Sequence, residues 1–254
     1  MRWRRMPATW GMLRDRRGGP GRFRRRRTRP GAARVPAALA AAALALAGCA
    51  AEPGPERPAA QAGAALVAQD PAVVEQRVLG EVYAGAFGRV GRAARTTPVA
   101  LPDRVAAVRA GAATVGFGCT GELLRLLDPA TAAELHAEYA AVDDPAKERD
   151  PGWRDRTYAA MSAALPGEVM ATDPSNAIAC TWLGEAEAGY LPQHLVPFYR
   201  KPALDRRQRV EVLNRVAGSI STGEVAELVA EVDAGAEPAA VAGRWLGASR
   251  FATG

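Results

Sequence analysis

Three cysteines and two histidines are the side chains of this 254-residue chain best suited to covalent or acid–base chemistry, and their positions narrow that chemistry quickly. Cys49 follows Leu46, Ala47 and Gly48 at the end of an uncharged apolar stretch, a setting for lipid acylation of the thiol rather than for catalysis. Cys119 and Cys180 remain. An exported pair favours a disulfide between them, with two buried free thiols as the competing account. His136 and His194 lie far apart in sequence with no partner motif, and no group of residues has metal-ligand spacing. Asp143 with Asp144, and Glu185 with Glu187, read as solvated turns rather than paired catalytic carboxylates. The scattered glycines lack the strand, loop and helix order of a phosphate cradle. These readings point away from an enzyme, a cofactor or a metal.

The elements that would position these residues begin with an address. Of the 33 Lys and Arg, 13 lie in residues 1–48 against one acid, Asp15, leaving 20 basic and 26 acidic side chains beyond. A net charge of +6 overall thus becomes −6 for the remainder, which offers nucleic acid no matching surface. Residues 1–48 read as a lipoprotein signal peptide. Their apolar run from Val35 to Ala47 is well short of the roughly 20 residues that span a bilayer. The small residues before Cys49 resemble the bacterial lipobox, which implies lipid anchoring on the extracytoplasmic face of the membrane. The alternative is a basic disordered arm followed by an Ala-rich helix. Residues 49–63, with Pro53, Pro55 and Pro58, form a flexible tether, and residues 64–254 the folded body.

In that body, strands are expected at Ala64 to Ala68, Thr97 to Leu101 and Ala112 to Phe117. Between them come a helix capped by Asp70 with Pro71 at its first position and a second, Pro102 to Ala110, closed by Gly111. Another helix follows the turn Gly118 to Gly121. Two further helices run from Asp128 and from Pro151. Short strands are expected at Glu168 to Ala171, Ala177 to Thr181 and His194 to Tyr199. The end is helical over Asp205 to Ala217, from a Ser221–Glu224 capping box, and from Pro238 to Leu246. This alternation indicates an α/β sheet with parallel pairing, whose ligands sit beyond the carboxyl ends of the strands.

The run Gly111 to Gly116 with Cys119, Thr120, Gly121, Glu122, Leu123 and Leu124 resembles the extracellular osmoprotectant-binding proteins of ABC importers, the receptors for glycine betaine, choline and carnitine. Leu195 to Lys201, Leu213-Asn214, Ser221 to Glu224 and Val241 to Leu246 are similar to that family's closing segments, and Glu75 to Tyr83 to its start. The resemblance implies a type II periplasmic-binding-protein-like α/β fold, with a main lobe at 64–128 plus 194–247. Only about a dozen residues replace most of the family's second lobe, so a reduced second lobe at 129–193 is expected.

The same resemblance implies a small quaternary amine as ligand, an ABC-transporter permease as partner and membrane attachment through lipid. The alternative is a degenerate member serving as an accessory or protein-interaction module. Quaternary ammonium groups cannot be hydrogen-bonded at nitrogen and are held by aromatic faces, at about 0.5–2 kcal/mol per contact. Trp182, Tyr190 and Tyr199 are candidate walls, beside Trp153, Tyr158 and Phe198, all of which have ordinary packing as the competing account. Glu75, Thr120, Gly121 and Asn176 complete the candidate ligand set. Backbone N–H groups at Thr120 to Glu122, where a helix begins, are expected to hold a ligand carboxylate.

Overall fold

The computed structural model describes residues 58–248; the expected signal peptide at residues 1–48 and the expected lipidation site Cys49 lie outside them. Strand β1 (Ala65–Gln69) sends Ala65 and Val67 beneath helix α1 (Val74–Arg89), whose stripe Val78, Leu79, Val82, Tyr83 and Phe87 is buried against them. β2 (Ala94–Pro98) pairs in parallel from Ala65 opposite Ala94 to Gln69 opposite Pro98. Pro98 is tolerated because β2 is an edge strand. After α2 (Arg104–Ala110), β3 (Val115–Cys119) joins the other side of β1, also parallel.

Helices α3 (Thr120–Leu127), α4 (Pro129–Ala140) and α5 (Pro151–Ala164) follow, then β4 (Val169–Ala171), α6 (Glu185–Ala188) and β5 (Leu195–Arg200). β5 runs antiparallel to both neighbours, giving one sheet in the order β2-β1-β3-β5-β4. Residues 129–193 add β4 to this sheet and form no second sheet among the described residues. Val115, Phe117 and Leu195 face α1 and the C-terminal helices α9 (Thr222–Asp233) and α10 (Pro238–Ala248). Ala68, Val196 and Phe198 face a second core built with α2, α3 and α5. Between α9 and β5, short helices α7 (Arg206–Gln208) and α8 (Arg215–Ser219) flank a π-helical turn, Arg209–Asn214, where one continuous helix is expected from sequence.

Several boundaries move for identifiable reasons. Asp70 does not cap α1: its carboxylate accepts from Ala72 N and from Leu101 N, at 2.9 and 3.0 Å, so Asp70-Pro71 is a turn that ties β1 to the chain after β2. The helix then starts at Val74. β2 begins and ends three residues before expectation because its pairing is set by β1. Gly111 does close α2 in the left-handed region, at φ 80°, and Ser221 and Glu224 do form a capping box. The expected strand at Ala177 to Thr181 is replaced by a single bridge from Ile178 to His194, since Cys180 turns to φ 89° and leaves the extended region.

Candidate functional site

The carboxyl ends of β1 and β3 lie at one edge of the sheet, where α1 and α3 begin and where an open α/β sheet places its ligand. A strap, residues 177–194, crosses this edge. Glu75, in the first turn of α1 and only 1% exposed, fastens it: the carboxylate accepts from Cys180 N and Thr181 N, both at 2.8 Å, and from Thr181 Oγ1 at 2.6 Å. A Cys119–Cys180 disulfide joins the strap to the end of β3. The neighbouring Gln76 is fully buried, and among the described residues neither end of its amide has a partner, nor does the buried Gln69 Oε1. Gln69 packs against Gly80, one helical turn beyond Gln76, so both amides lie along one stripe of α1.

The strap also occupies the start of α3. Thr120 N donates to His194 O at 3.0 Å, Gly121 N to Pro192 O at 3.2 Å, and Glu122 N to Gln193 Oε1 at 2.9 Å. Thr120 Oγ1 donates to Pro192 O. A Cβ on Gly121 would stand 2.9 Å from Leu191 Cβ, which shows how closely the strap approaches. The expectation that these N–H groups hold a ligand carboxylate is therefore corrected: the chain's own carbonyls, with the Gln193 amide oxygen, already fill the position.

Beside this plug lies an open groove of about 520 Å³, lined by Leu101, Pro102, Glu122, Trp182, Leu183 and Glu187 among others. Its size falls in the range of small-molecule sites, about 300–1,000 Å³. Both groove carboxylates have arginine partners: Glu122 Oε1 accepts from Arg104 Nη2 at 2.6 Å, and Glu187 pairs with Arg125. The Arg104 guanidinium carbon stands 5.8 Å from the Trp182 ring centroid, a cation–π arrangement. Among the described residues no His, Cys, Asp and Glu grouping fits a metal ion.

The remaining candidates do not converge on the groove. Asn176 is exposed, its Oδ1 accepting from Arg154, and it borders a separate depression with Gly218 to Glu224. Tyr190 stacks on His136, with centroids 3.9 Å apart, and its carbonyl bonds His136 Nδ1. Tyr199 is 1% exposed and bonded to Met170 and Arg209, a core residue. Trp153 packs edge-on against Tyr139, and Phe198 fills the space above Gly116. Of the aromatic set, Trp182 reaches the groove. Gln76 and Arg104 escape sequence reasoning because neither has a partner at a recognisable spacing.

His194 holds the strap from within. It is 5% exposed, with Nδ1 donating to Ser175 O at 3.0 Å and Nε2 unpartnered. Burial lowers its pKa from 6.5, assisted by Arg154 and opposed by the Ser175 bond and Asp155. The unfolded chain then binds the proton more readily, so stability present above about pH 6.5 is lost as the pH falls through the lowered folded value. Thermal melts from pH 7.5 to 5 should show a falling Tm, and His194→Gln should flatten that slope. An unchanged slope in the variant rejects this role.

No family model and no curated protein matches the chain. Among solved structures, apo YehZ from Escherichia coli is similar, with a TM-score of 0.50 and 11% sequence identity over 73% of this chain and 98% of that one. At that identity the likeness concerns the fold alone. The chain is a mixed α/β protein whose five-stranded sheet and helices follow a periplasmic-binding-protein-like fold.

Proposed function

We propose that this protein is an extracytoplasmic solute-binding lipoprotein that takes a small quaternary amine of the glycine betaine, choline or carnitine kind and passes it to an ABC-importer permease. The observation that carries this reading is the groove at the carboxyl edge of the sheet, with the Trp182 indole beside Glu122 and Glu187. An indole face and nearby carboxylates suit a methylated cation, which offers no hydrogen for bonding. The likeness to YehZ is one of fold, so the functional reading rests on the residues of the groove. Attachment through acylated Cys49 rests on the residues before it, and Cys49→Ala should move the protein from the membrane fraction to the soluble one; retention of the variant on the membrane would count against the anchor.

Calorimetric titration of the full chain with glycine betaine, choline and carnitine tests the ligand. Binding of at least one, weakened about tenfold or more in Trp182→Ala, is expected; one buried cation–π contact near 2 kcal/mol gives that factor. One observation favours a second reading, an accessory module without solute capture: the strap fills the start of α3. Absence of heat with all three solutes would favour it.

A further inference from the structure

Arg104 opens α2 and is fully buried, yet only one of its guanidinium nitrogens has an acceptor: Nη2, on Glu122. Among the described residues Nε and Nη1 are buried without partners, and so is Trp182 Nε1. A guanidinium presents five N–H donors, and buried donors left unpaired are costly, most of all on a charged group. Such atoms in a native protein ask for an acceptor. Arg104 itself does not line the groove, but the two side chains it contacts there, Glu122 and Trp182, both do, so it lies one side chain behind the groove wall. Glu122 does not exhaust the arginine: its second oxygen accepts from Cys119 N at 3.2 Å, at the positive end of α3.

We infer that Arg104 is the anchor for a carboxylate of the groove's ligand, so that the ligand is a zwitterion rather than a simple cation. This rests on the solute-binding reading of the same groove. Displacement of the Trp182 indole uncovers Nε and Nη1. The ligand carboxylate takes their charge-assisted hydrogen bonds, and the ligand's cationic end lies outward along the indole toward Glu187. The start of α3 cannot serve the carboxylate instead, since Pro192, Gln193 and His194 occupy it. Selectivity then comes from one buried charge placed under a movable aromatic cover.

The test uses isotope-labelled full chain and the indole N–H resonance of Trp182, assigned with Trp182→Phe, during titration with glycine betaine, choline and acetate. Acetate, which carries the carboxylate alone, and glycine betaine should both shift that resonance. Glycine betaine should bind about tenfold or more tightly than choline, and Arg104→Gln should erase the difference and the acetate response. Arg104→Lys, which keeps the charge, serves as a second variant if the first fails to fold. Equal affinity for glycine betaine and choline in the unaltered protein overturns the Arg104 assignment while leaving solute capture standing. Silence toward all three probes overturns both.

Discussion

Replacing Glu75 with alanine should lower the free energy of unfolding by about 3 kcal/mol and release the strap over the carboxyl edge of the sheet. The carboxylate is the acceptor for three donors, Cys180 N, Thr181 N and Thr181 Oγ1. A buried N–H that loses its acceptor costs about 1–3 kcal/mol, and hydrogen bonds to a charged group are worth about 1.5–3 kcal/mol each. Thr181 is exposed and recovers most of its loss from water, so the total is set mainly by the buried Cys180 N–H and stays near about 3 kcal/mol rather than the sum over three bonds. Glu75→Gln retains one acceptor oxygen but turns an amide N–H₂ toward donors, so it should fall between. Denaturant unfolding measures the loss, and amide exchange at Cys180 and Thr181 should accelerate. A loss below about 1 kcal/mol with both amides still protected would mean that the strap is held by other contacts.

Removal of the Cys119–Cys180 disulfide should cost roughly 4 kcal/mol in the chain-entropy account, because the bridged residues are 61 positions apart. Cys180 also sits at φ 89°, a region that a residue with a Cβ enters at a cost of about 1–2 kcal/mol and glycine enters freely. The double variant Cys119→Ala, Cys180→Gly should therefore be more stable than the variant with alanine at both positions, by about 1 kcal/mol after the extra unfolded-state entropy of glycine is counted. The reverse order would show that the strap relaxes to a negative φ once the bridge is gone. Both substitutions act on the same strap as Glu75, so their effects should not be additive with Glu75→Ala.

Where sequence and structure agree, the signal is local. Gly111 closes α2 because a left-handed residue is needed there, and the Ser221–Glu224 box opens α9 by two reciprocal hydrogen bonds three residues apart. Where they part, a distant partner decides. Asp70 has the chemistry of a cap but spends one oxygen on Leu101, 31 residues away. Ala177 to Thr181 has strand-like composition, yet the amides of Cys180 and Thr181 bond a carboxylate on α1, over 100 residues earlier. Trp182 could be singled out because it lies in irregular chain near the expected ligand edge, whereas Tyr190 is absorbed by His136 and Tyr199 by the core. Arg104 and Gln76 carry no spacing signal: one is paired across 18 residues and the other with nothing among the described residues.

The most direct measurement is a crystal structure of the protein grown with saturating glycine betaine. Solute capture in the groove predicts density for the ligand there, its methyl carbons against the Trp182 ring within the roughly 6 Å reach of a cation–π contact and its carboxylate on Arg104. An unliganded groove, with Trp182 still closed over Arg104 at concentrations that saturate binding in solution, would contradict it.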